Sequence, residues 1–110
     1  MKTKKVKLVV FVPVSHADKI RQVLGESGAG VIGNYDFCSF SVRGIGRFRG
    51  DAQSKPAVGS AGVFESVEEE RIEVVVPRNL LKDVIQQVKT AHPYEEVALD
   101  IYPLEDQESL

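Results

Sequence analysis

The 110-residue chain has a single cysteine, Cys38, and so can form no internal disulfide. That suits a reducing compartment, and a cytoplasmic location is the expectation. No apolar run approaches the roughly 18 residues that a membrane-spanning helix needs, so no membrane partner is expected. The formal net charge is −2, so the overall positive field that draws a protein to nucleic acid is missing too. There is no Walker loop, no HExxH pair, no Ser-His-Asp arrangement and no convincing carboxylate pair for acid–base work. These absences leave hydrolytic and nucleotide-cleaving chemistry without residues to perform it. The expectation is a binding module that is not an enzyme.

What remains is an ordinary globular composition, 43% hydrophobic and 27% charged, at a length that makes one domain. The basic start followed by apolar Leu8–Val14 invites comparison with a signal peptide. That apolar run is short, is broken by Pro13 and leads into polar Ser15-His16-Ala17-Asp18, which makes it a strand. Both alternating sets of Val6–Val12 are apolar after Lys7, the pattern of a central strand. Ser15 is placed to cap a helix in which Ala17, Ile20, Val23 and Leu24 share a face, and Gly28-Ala29-Gly30 stops it.

Alternation over Tyr35–Val42 predicts a second strand with Cys38 in the core. From Arg43 to about Ser60 the composition shifts to Gly, Ser, Pro and charge, which predicts a loop longer than compact domains usually carry. Glu68-Glu69-Glu70 reads as a solvated run leading into a third strand over Glu70–Val76. Asn79 then caps a helix with Leu81, Val84, Ile85 and Val88 on one face, and Glu95–Tyr102 makes a fourth strand. One domain spans residues 1–104, and Glu105–Leu110 is an acidic tail.

The order is β-α-β, loop, β-α-β. Two right-handed units of this kind interleave into an α+β, ferredoxin-like sandwich: a four-stranded antiparallel sheet of order 4-1-3-2 with both helices on one face. The other face is left bare, with Val9 and Phe11 on it and Phe37, Val75 and Tyr102 extending it. Exposed apolar surface of this sort marks an interface, so self-association is expected.

The same topology gathers Ser15-His16, Arg43–Arg49 and His92–Glu96 at one end of the molecule. His16 and His92 are the chain's two histidines. Together with Glu95 and Glu96 they offer neutral nitrogen and anionic oxygen, a workable donor set for a divalent metal ion. The competing reading packs His16 at a helix start and hydrogen-bonds His92 in a turn. A second candidate is a small anionic ligand. Gly44 and Gly46 would turn backbone N–H groups toward it, Arg43, Arg47 and Arg49 would supply charge, and Tyr94 would flank it. Against this stands the reading that the glycines only shape the loop and the arginines stay solvated.

Gly33-Asn34-Tyr35, Cys38-Ser39-Phe40, Glu70-Arg71-Ile72-Glu73, Asp100-Ile101-Tyr102 and above all His92-Pro93-Tyr94-Glu95-Glu96 resemble one known pattern. It is that of the YqfO-type domain inserted in many bacterial members of the Ngg-interacting-factor-three family. The resemblance runs from about Lys7 to Leu104. It implies the fold of the CutA and PII proteins, which are ferredoxin-like trimers, and hence a homotrimer joined through the sheet. It implies a ligand or protein-partner surface near the loop end, and, by way of CutA, association with divalent cations. The dinuclear metal centre of full-length members lies in flanking domains absent from this sequence and is not carried over.

Overall fold

The computed structural model describes residues 2–110. Strand β1 spans Lys5–Pro13, helix α1 Ala17–Glu26, β2 Phe40–Phe48, β3 Glu65–Pro77, helix α2 Leu81–Ala91 and β4 Leu99–Leu104. All three strand pairings are antiparallel, and the sheet order is β2-β3-β1-β4, the order expected from the two interleaved units.

The alternation of β1 decides the layering. Val6, Leu8, Val10 and Val12 point to the helices, where they are fully buried against Ile72, Val74 and Val76 of β3, Ile20 and Leu24 of α1, and Val84 and Val88 of α2. Burying a side chain of this kind contributes about 1.5–3 kcal/mol, so these residues supply much of the driving force for the fold.

The helices begin differently from the expectation. Neither Ser15 nor Asn79 caps its helix. Each helix is entered through a short 3₁₀ turn, Val14–His16 or Arg78–Leu80, and no side chain bonds to the first N–H groups. The Ser15 hydroxyl instead lies 2.9 Å from His16 Nδ1.

The larger difference is in β2 and β3. Arg43–Phe48 is strand, not loop, and pairs residue for residue from Arg43↔Glu70 to Phe48↔Glu65. β1 stops pairing with β3 at Pro13↔Glu69, so the ends of β2 and β3 run on past the sheet as a two-stranded arm. The loop shrinks to Arg49–Phe64 at its tip. No helix covers the arm, and the half-buried positions that alternate along it include Gly46, Glu65 and Glu69, so burial there leaves no apolar pattern in the sequence. Similarly β4 starts at Leu99, because His92–Ala98 is spent turning back from α2. It continues through Pro103, which an edge strand tolerates because the outward position needs no N–H.

Candidate functional site

The topology does bring the first turn after β1, the arm and the segment after α2 to one end. A cavity of about 360 Å³ opens there, where the arm meets the end of the sheet. It is lined by Gly46–Gly50 of the arm, by Ser54 and Pro56–Val58 of the tip loop, by Glu69 of β3, and by Tyr94–Glu96 and Ala98. Gly46, Arg47, Arg49, Tyr94, Glu95 and Glu96 from the expected site are therefore brought together. His16, His92, Arg43 and Gly44 are not among the lining residues. A second, broader depression of about 580 Å³ lies at the opposite end, lined by Thr3–Lys5 and Pro77–Asn79, and gathers none of the expected residues.

Tyr94 is the centre of the cavity's geometry. Its ring lies 5.9 Å from Phe48 and 5.2 Å from His92, both tilted. Its hydroxyl is buried and makes no hydrogen bond of normal geometry among the described residues, although the Glu69 carboxylate is near. Burial first, and then the neighbouring Glu69 carboxylate, push its pKa up to about 12, so the hydroxyl is a neutral donor at any physiological pH. A buried hydroxyl without a partner costs about 1–3 kcal/mol, and a group that supplied an acceptor would recover that cost.

Gly46 has a role other than the expected one. In a paired strand it does not wrap backbone N–H groups around a phosphate. A Cβ there would collide with the Glu69 carboxylate, which lies across the strand at that point. The missing side chain thus makes room for a carboxylate at the cavity wall. Gly44, opposite Glu69, has open space around it. The arginines diverge as well. Register puts Arg43 and Arg47 on the helix-side face of the arm, whereas Arg49 sits over the Phe64 ring at 4.9 Å.

The four residues of the metal expectation are not grouped as a donor set among the described residues. His92 is buried, its Nε2 lies 2.8 Å from the Phe11 carbonyl, and its Nδ1 accepts the Tyr94 N–H at 3.1 Å. An imidazole that accepts at Nδ1 must donate at Nε2, so it is neutral and has no lone pair left for a metal ion. Burial lowers its pKa below the ordinary histidine value, with the Phe11 carbonyl and Glu69 opposing. Glu95 accepts the Lys55 N–H at 2.6 Å, and Glu96 is exposed. Among the described residues, no three His, Cys, Asp or Glu side chains are grouped to hold a metal ion. In this geometry His92 joins the end of α2 to the end of β1.

Two further residues behave differently from their sequence reading. Glu70 is buried, bound by Arg21 of α1, which also holds Asp18 and Ser41. Its signal in the sequence was its place on the helix-facing side of β3 with Ile72 and Val74. Cys38 is half-buried in the loop before β2, its sulfur 3.7 Å from the Asp36 carbonyl, and is not core.

The bare sheet face carries Val9, Phe11, Val75 and Tyr102 as expected, with Phe40 and Val42 of β2 beside them. Phe37 is not part of it, because its ring packs on Gly25 of α1. The face is also more polar than expected. Lys7 and Arg71 both bind Glu73, each at 3.3 Å, and Arg71 lies 5.6 Å from the Phe11 ring. Val9, between Lys7 and Phe11 and opposite Glu73 and Asp100, is fully buried among these longer side chains.

No family model matches the chain. Among curated proteins, the GTP cyclohydrolase 1 type 2 homolog of Bacillus subtilis is 48% identical over 99 residues, 90% of this chain and 26% of that protein. Its counterpart in Halalkalibacterium halodurans is 45% identical over 101 residues, 92% of this chain and 27% of that protein. The chain thus spans about a quarter of the length of the curated relatives it matches. Among solved structures, a Bacillus cereus protein related to NIF3 superposes with a TM-score of 0.79 at 47% identity, over 96% of this chain and 27% of that one. The periplasmic divalent cation tolerance protein CutA of Archaeoglobus fulgidus superposes with a TM-score of 0.68 at 19% identity, over 96% of this chain and 91% of that one. The second likeness is one of fold alone. The chain is a homologue of one quarter of the NIF3-related proteins, built on the fold that CutA also uses.

Proposed function

We propose that the chain is a non-catalytic, self-associating binding module of the cytoplasm, a homotrimer that closes through the bare sheet face and takes a ligand at the base of its arm. The observation that carries the reading is the bare face itself. Phe40, Val42 and Tyr102 are 65%, 49% and 44% exposed around the Lys7–Glu73–Arg71 network. Apolar rims around a satisfied polar centre suit contact with a second copy, because the charged groups already carry their partners into the contact.

The arm-base cavity supplies the binding function. Arg49 at its wall favours a ligand with an anionic group, and the Tyr94 hydroxyl favours an acceptor atom beside it. The carboxylates of Glu69, Glu95 and Glu96 select against a ligand that is anionic throughout. The name of the curated relatives refers to proteins about four times as long.

Light scattering on the pure protein tests the assembly. A trimer at micromolar concentration is expected, and a monomer overturns the reading. Thermal shift with a phosphate monoester such as glycerol phosphate, against inorganic pyrophosphate as the wholly anionic control, tests the cavity. A shift with the monoester that disappears in Arg49→Ala supports it, and no shift in the wild type refutes the anionic class.

A further inference from the structure

The end of the molecule opposite the cavity carries a second exposed apolar surface, and it is unusually well built. Residues between α1 and β2 form a loop without regular structure, yet its backbone is tied down. The Gly30 N–H donates to the Val75 carbonyl at 2.8 Å, and the Cys38 N–H donates to the Gly30 carbonyl at 2.8 Å. Ile32 and Tyr35 exchange a reciprocal pair at 2.9 and 3.0 Å. Phe37 holds a left-handed backbone, φ 54°, a conformation that costs a residue with a side chain of order 1–3 kcal/mol unless its surroundings impose it. Its ring on Gly25 imposes it here.

Such a loop normally pays its ordering cost by burying its own side chains. This one does not: Val31 is 46% exposed, Ile32 55% and Tyr35 74%, with Leu80 of the α2 entry turn close by at Gly28. A fixed backbone that displays apolar side chains to water is preorganised for a partner.

Chain connectivity identifies the partner. β1 begins opposite the end of β4, with Lys5 paired to Leu104. Both lie at the same end as the Val31–Phe37 loop, because Lys5 also pairs with Pro77 at the end of β3, two residues past the Val75 that anchors Gly30. The relatives are about four times as long as the matched segment, and since both of its ends lie here, their additional polypeptide joins it at this end whichever terminus it extends. Tethered there, it meets the loop at high effective concentration. We infer that the surface formed by Val31, Ile32, Tyr35 and Leu80 is where this domain packs against the rest of a NIF3-related polypeptide.

The test grafts the whole 110-residue chain in place of the matched segment of the Bacillus subtilis relative. Amide hydrogen exchange is then compared between the graft and the free chain. Exchange across Val31–Phe37 should slow at least tenfold in the graft, while the β1 amides stay as they were. Equal exchange in both overturns the inference, and so does a graft in which this domain melts independently at the free chain's own Tm. The double variant Ile32→Ser, Tyr35→Ser separates docking from a role internal to the fold. It should leave the Tm of the free chain unchanged and abolish the slowing in the graft. An equal loss of Tm in both proteins assigns the loop to internal stability and overturns the proposal. A free chain that proves monomeric would refute the trimer and leave this result standing.

Discussion

β1 is one strand with two different faces. Toward the helices, Val6, Leu8, Val10 and Val12 meet only apolar side chains and are sealed. Toward the open side, Val9 is sealed equally well, but by side chains that carry charge at their tips. Lys and Arg bury their methylene stems while holding their charged ends in water, so one monomer can hide a valine without a second layer of structure. Complete burial therefore has two causes in this molecule. A packed interior makes the first face costly to disturb, whereas a polar cover leaves the second free to meet another chain.

Substitution on the sealed face should produce the largest effect. Leu8→Ala removes a fully buried side chain from the middle of the helix-packed core, and about 3 kcal/mol of stability should be lost. Urea denaturation at neutral pH measures it, and a loss below about 1 kcal/mol would show that the two helices do not pack on β1 as described.

The opposite behaviour is expected of the open face. Tyr102 is 44% exposed, so Tyr102→Asp should leave monomer folding nearly unaffected. It would place a carboxylate within the proposed contact and weaken association at least tenfold, about 1.4 kcal/mol. Sedimentation of the wild type and the variant across a concentration series checks this. An unchanged association constant would move the interface elsewhere and leave the contrast between the faces without a function.

His92 sharpens the contrast from the end of β1, where its buried ring bonds the Phe11 carbonyl. Burial lowers its pKa below the ordinary histidine value, so the unfolded chain takes up the proton before the folded one does. Its contribution is constant above the ordinary histidine range and is lost as pH falls below that range toward the lowered folded value. The urea midpoint should therefore be lower at pH 5.5 than at pH 7.5. His92→Gln should narrow that difference, and a variant as pH-sensitive as the wild type would place the titration in another group.

How far these contrasts were legible in the sequence depends on what each element packs against. β1, both helices and the end of β3 border the core, and their apolar spacing announces them. The arm borders only the short segment after α2. Its glutamates, arginines and glycines have poor strand propensity singly, and they form strands because each row pairs across, as Arg43 does with Glu70. A single sequence does not display that pairing, so Gly44 and Gly46 read as a loop and Glu70 as a solvated charge. The gathering of Arg47, Arg49 and Tyr94–Glu96 followed from topology alone and survived the error in β2. The orientation of His92 did not follow, because it depends on which carbonyl lies opposite its ring.

Tyr94→Phe should give the smallest change in stability and the clearest change in function. The hydroxyl is buried without a hydrogen bond of normal geometry, so its removal relieves a desolvation cost and sacrifices no such bond. The phenyl ring would keep its contacts with Phe48 and His92. Stability should stay level or rise by up to about 1 kcal/mol, the reverse of the sign expected for deleting a buried polar group that is satisfied. Anion binding at the cavity should weaken in the same variant, since the donor that a bound acceptor would have used is gone. If stability instead falls by more than about 1 kcal/mol, the hydroxyl is held by the Glu69 carboxylate and the cavity has no unspent donor to offer. If stability holds and binding is unchanged, Arg49 alone recognises the ligand and Tyr94 is only the cavity's wall.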